Sequence, residues 1–88
     1  MSSTTYDDSF REKLDNEHDW PDVYMFKFIV PRSQEQSIRD LFPSDKVEVK
    51  ESSSGKYVSV TATKLMRSSQ EVIDIYVAAH KVEGVIAL

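Results

Sequence analysis

An α+β sandwich, one four-stranded antiparallel sheet with two helices on a single face, is the fold class this sequence predicts. Three observations lead to it. Two segments, centred on Phe26 and Val60, carry the β-branched and aromatic residues and the two-residue period of strands. Ser-x-x-Glu/Gln spacings at Ser33 and Ser68 open segments whose apolar residues recur at helical intervals. The elements follow one another as β-α-β-β-α-β. At 88 residues, 40% hydrophobic and 30% charged, the chain has the size and balance of one small globular domain rather than a disordered tail.

Met1–Ser9 is rich in Ser, Thr and Asp, has one aromatic residue, Tyr6, and reads as a mobile tail. Ser9-Phe10-Arg11-Glu12 has capping-box spacing, and Phe10 and Leu14 share a helical face. A helix of about two turns there is well below the ~12 residues at which isolated helices become marginal, so it persists only if Phe10, Leu14 or Trp20 docks on the domain. Trp20-Pro21 ends this stretch, because a residue before proline avoids the helical basin. Residues 1–19 are expected to be a flexible N-terminal arm with a possible short helix, and residues 20–88 a single domain.

Val23–Val30 is apolar almost throughout, which predicts partial cover on both faces. Tyr24, Phe26, Phe28 and Val30 share one face; Val23, Met25, Lys27 and Ile29 share the other, which Lys27 marks as the less buried. Pro31 stops this strand. Ser33-Gln34-Glu35-Gln36 has a second capping-box spacing, opening a short helix with Ile38, Leu41 and Phe42 inward and Pro43 at its end. Lys46–Glu51 alternates, Val47 and Val49 in, Glu48 and Lys50 out, and its charges suit a sheet edge.

Ser52-Ser53-Ser54-Gly55 supplies a hairpin turn, with Gly55 able to take a positive φ. Lys56 to Met66 alternates again: Val58, Val60 and Ala62 face one way, Tyr57, Ser59, Thr61, Thr63 and Leu65 the other. Ser68-Ser69-Gln70-Glu71 is a third capping box, opening a helix to about His80 with Val72, Ile73, Tyr76 and Ala79 as its apolar stripe. Gly84 breaks the chain before a last short strand, Val85–Leu88. Right-handed crossovers and a hairpin between the second and third strands then give the ferredoxin-like sandwich, its long first and third strands central and its short second and fourth strands at the edges.

Two stretches carry a family resemblance. Trp20-Pro21-Asp22-Val23-Tyr24-Met25-Phe26-Lys27 resembles the aromatic-Pro, aromatic, Lys opening of the YbeD-like bacterial family of unknown function. Val49-Lys50-Glu51-Ser52-Ser53-Ser54-Gly55-Lys56-Tyr57-Val58-Ser59-Val60-Thr61 resembles that family's Ser-Ser-x-Gly-x-Tyr-x-Ser-Val hairpin. Glu71-Val72, Ile75-Tyr76 and the terminal Gly84-Val85-Ile86-Ala87-Leu88 extend the similarity over roughly residues 19–88. The resemblance implies a ferredoxin-like fold similar to the ACT regulatory domains of amino-acid metabolism. It implies no catalytic residue or ligand, and it associates some members with lipoate-attachment enzymes through gene neighbourhood. The sequence departs from the family pattern between Pro31 and Lys46, where the first helix is shortened, and in its N-terminal arm.

Reactive constellations are absent from the pattern. With no cysteine there are no disulfides, thiolate metal sites or cysteine nucleophiles, and this suits a reducing, cytoplasmic location. His18 and His80 are far apart in sequence and read as a linker histidine and a helix-end histidine rather than metal ligands. Gly55 and Gly84 are too few for a phosphate loop, no G-x-S-x-G elbow occurs, and the phosphate cradle of the similarly folded acylphosphatases is not evident. No apolar run nears the ~20 residues of a membrane span, and the first residues lack the blocks of a signal peptide. An RNA-recognition domain would show several aromatics on its middle strands; here Tyr57 stands alone on its face, and the net charge is −4.

What remains is the sheet face away from the helices. Met25, Lys27, Ile29, Tyr57, Ser59 and Thr61 form the candidate interaction face, with Val23, Leu65 and Thr63 around it. Met25, Ile29, Tyr57 and Leu65 form a patch that a monomer seldom leaves bare, so a protein partner or self-association is expected, or else the N-terminal arm folds over it. The expected function is a non-catalytic regulatory or protein-interaction module without cofactor, metal, nucleic acid or membrane. The alternative is an ACT-like sensor of an amino acid or similar metabolite, with a link to lipoate metabolism and a carboxylate held near Ser52–Gly55.

Overall fold

The computed structural model describes residues 8–88. Helix α1 covers Asp8–Glu17 and is followed by strand β1 (Asp22–Pro31), a 3-10 turn at Arg32–Gln34, and α2 (Glu35–Arg39). Strands β2 (Val47–Glu51) and β3 (Tyr57–Met66), helix α3 (Ser69–Ala79) and strand β4 (Ile86–Ala87) complete the chain. The sheet runs β2-β3-β1-β4 with every neighbouring pair antiparallel, the ferredoxin-like order. Its spine is the β1–β3 ladder, in register from Asp22↔Met66 to Pro31↔Tyr57. The hairpin closes at Ser52–Gly55, where Gly55 takes φ +75° and its N–H donates to the Ser52 carbonyl.

The inward face of the central strands builds the core. Phe26, Phe28 and Val30 from β1 and Val58, Val60 and Ala62 from β3 are buried against Ile38, Phe42, Val72, Ile73 and Ala79. Tyr76 of α3 lies at the centre of a ring cluster, 5.4 Å from Phe26, 5.9 Å from Phe28 and 6.0 Å from Phe10, each edge to face. Its hydroxyl is 3.1 Å from that of Tyr24, which gives the polar ends of two largely covered rings a partner. Lys64, on the inward side near the end of β3, reaches Asp45 at 3.1 Å instead of entering the core.

Three helices, not two, cover the sheet. The segment after Ser9 is helical and docks through Leu14, which is buried, with Phe10 and Trp20 packed beside the core. It sits against α3 on the helical side, so it does not fold over the open sheet face. Asp8 is already helical, which places Ser9 inside the first turn rather than at the cap, where backbone must be non-helical. Asp8 and Ser9 therefore leave the expected tail; the expectations for Met1–Asp7 fall outside the described residues.

Ser33 is not a cap either. The chain turns directly out of β1 at Arg32, whose N–H donates to the Lys56 carbonyl, and the 3-10 turn already contains Ser33. Gln34 occupies the cap position of α2 without a side-chain bond to the helix backbone. At Ser68 the motif is realised: its hydroxyl accepts from the Glu71 N–H, while the Glu71 carboxylate accepts from the Arg67 N–H one residue before the cap.

The outer side of β1 is also barer than its continuous apolar run predicts. Val23 and Met25 are exposed and only Ile29 is half-buried, because a single layer of helices covers the sheet.

Candidate functional site

Cross-strand pairing sets the order of residues on the open face. Val23 lies opposite Leu65 and Met25 opposite Thr63 at one end; Ile29 lies opposite Ser59 and Pro31 opposite Tyr57 at the other. Between them Lys27 faces Thr61, and Thr61 faces Glu48 across the next ladder. The structure thus places Met25, Lys27, Ile29, Tyr57, Ser59 and Thr61 on one surface and divides its apolar residues into two patches. Leu65 joins Met25 and Val23; Tyr57 and Ile29 lie beyond the polar row, where Ile29 also pairs with Ile86 of β4.

These patches are open to water. Met25 is 62% exposed, Leu65 59%, Val23 56% and Tyr57 45%. Lys27, Glu48, Lys50, Ser59 and Thr61, with Val49, border a shallow depression of about 450 Å3 at the β2 side. Among the described residues, no hydrogen bond or ion pair joins the side chains of Lys27, Glu48 or Lys50 to another group.

The rim of this face is held by Arg32. Its Nε–H donates to the Gly55 carbonyl at 2.9 Å and its guanidinium meets Glu51 at 2.8 Å, which fastens the hairpin to the end of β1 beside Tyr57. The hairpin amides are largely used internally. Tyr57 N–H donates to the Ser52 hydroxyl, Lys56 N–H to the Ser54 hydroxyl, and Ser52 N–H to the Tyr57 carbonyl. A turn so occupied has few amides left for the carboxylate of a small ligand.

A second polar cluster lies where α1 meets β1. The His18 Nδ1–H donates to Asp22 at 2.7 Å, and its ring stacks on Trp20 at 4.9 Å and tilts against Tyr24 at 5.4 Å. Trp20 Nε1–H donates to Asp15 at 2.9 Å. The hydrogen bond from His18, then that from the Val23 N–H, lowers the Asp22 pKa from its ordinary value. This arrangement orients a ring and ties α1 to the sheet. The histidine read from sequence as a linker is therefore a packed one; its i, i+4 spacing from Asp22 was the available signal. His80 caps the far end of α3, and no group of three or more His, Asp or Glu side chains suited to a metal ion occurs among the described residues. No described helix is long and apolar enough to cross a membrane.

Residues 15–88 match the family model described as "Protein of unknown function (DUF493)". No curated protein and no solved structure matches the chain.

Proposed function

The chain belongs to the DUF493 family, proteins of unknown function, and from its uncovered sheet face we propose that it is a non-catalytic regulatory module that binds another protein through that face. The single observation carrying this reading is the exposure of Val23, Met25, Tyr57 and Leu65 on one side of a sheet whose other side is covered by three helices. Their interleaving with Lys27, Ser59 and Thr61 supports it, since recognition surfaces combine apolar anchors with polar groups that fix register. We read the chain as YbeD-like and its architecture as ACT-like, a scaffold for regulation rather than catalysis. The internal use of the hairpin amides favours a macromolecular partner over a metabolite held at Ser52–Gly55.

The test is affinity capture from the native cell extract with the full chain and with a Met25→Ser/Tyr57→Ala variant, quantified by mass spectrometry. Both side chains are exposed, so the variant stays folded, with a stability change within about 0.5 kcal/mol. Partners captured by the parent chain and lost from the variant support the reading. Identical capture by both removes it.

A further inference from the structure

The open face has a charge pattern that is complementary to itself. Lys27, Thr61 and Glu48 stand side by side on β1, β3 and β2, so one cation and one anion flank the central strand in a single row. Two strand spacings, about 10 Å, separate their backbones. Neither side chain has an ion-pair partner among the described residues.

We propose that a second copy of this chain occupies the face, packed sheet on sheet about a twofold axis that runs along β3. This rests on the interaction reading above and names its partner. Rotation about that axis lays β3 over β3 and β1 over β2 of the second copy. Lys27 then stands over Glu48 of the second copy, and the reciprocal pair forms on the other side. The neighbouring rows agree. Lys46 borders the same surface as Met25 and Thr63, and Lys50 lies in the row of Ser59 and Ile29. Met25 therefore meets the alkyl stem of Lys46 and Ile29 that of Lys50, with both ammonium groups free to reach water at the rim. Along the axis Leu65 meets Leu65 and Tyr57 meets Tyr57, within the aligned geometry and ~10 Å spacing of packed sheets.

Charge selects this axis over its rival. An axis along the row itself would set Lys27 on Lys27 and Glu48 on Glu48, a like-charge juxtaposition that disfavours association. The chosen axis leaves β4 outside the overlap, so Ile86 contributes little.

Sedimentation velocity on the purified full chain, over a concentration range reaching millimolar, tests this. The expected result is a monomer–dimer equilibrium. Lys27→Glu and Glu48→Lys each weaken the dimer by about tenfold or more, because each sets like charges face to face. Mixing the two variants restores dimer as a heterodimer, in which both facing pairs are again of opposite sign. The Lys27→Glu/Glu48→Lys double variant restores it as a homodimer. A chain monomeric at every concentration overturns the proposal, as does a dimer indifferent to these swaps, which must use another surface. If the chain is monomeric while Met25→Ser/Tyr57→Ala still abolishes capture from extract, the interaction face stands with a different partner; a monomeric chain whose capture is unchanged by that variant removes both readings.

Discussion

His18 and Asp22 meet at 2.7 Å across the joint between α1 and β1, with the imidazole stacked on Trp20. The carboxylate is the form that this contact favours, so the pKa of Asp22 in the folded chain lies below its ordinary value. A lowered carboxylate pKa stabilises the fold fully above the ordinary aspartate pKa of about 3.9, and the effect is lost as pH falls through the folded value. Unfolding by denaturant, followed through the single tryptophan, Trp20, is expected to show an acid-side loss that Asp22→Asn lacks. Parallel pH profiles for the two chains would show that the contact is energetically silent.

Leu14 is the one residue of α1 buried in the core. Truncating it to alanine is expected to cost about 2–5 kcal/mol if the helix stays docked, or less if α1 releases and relieves the cavity. Hydrogen exchange separates the cases: a released helix loses amide protection over residues 8–17 while β1 and β3 keep theirs. Unchanged stability together with unchanged protection would contradict the docking.

The three Ser-x-x-Glu/Gln motifs are not equivalent. Ser68→Ala removes a realised cap of α3 and is expected to destabilise by about 1 kcal/mol. Ser33→Ala, within a 3-10 turn that makes no side-chain cap bond, is expected to stay within about 0.5 kcal/mol of the parent. Thermal or denaturant midpoints of the two variants measured side by side decide the ranking.

Gly84 and Gly55 both have positive φ, +79° and +75°, yet differ in what a methyl group would meet. At Gly84 an added Cβ falls 2.8 Å from Cγ and 2.9 Å from Cδ of Pro31, a ring that closes β1. At Gly55 the nearest atom is a terminal nitrogen of Arg32 at 3.4 Å, which can swing away. Gly84→Ala should therefore lower stability by more than Gly55→Ala, for which the strained φ alone costs about 1–2 kcal/mol. Equal losses would argue that the Pro31 contact is readily relieved.

Much of the architecture was legible because burial on one face leaves a period-two signature. Phe26, Phe28, Val58 and Val60 point inward and Lys27, Ser59 and Thr61 outward, as their alternation requires. Capping motifs were less legible. Ser9, Ser33 and Ser68 share one spacing, but the backbone just before each decides whether the serine can act, and at Ser33 the exit from β1 removes that freedom. The candidate face was readable as a set of residues but not as a pattern. That Lys27 and Glu48 share one row, and that this row separates Met25 from Ile29, depends on register between strands distant in sequence.

The amino-acid order by itself determined the succession of strands and helices, the inward residues and the central place of the two long strands, because local periodicity and short-range turn chemistry act within a few residues. Only the tertiary structure decided that the N-terminal helix joins the covering layer and that the outer sheet is left uncovered. Those outcomes depend on which apolar surfaces meet across long stretches of chain, and packing between distant segments leaves no periodic mark in either segment alone.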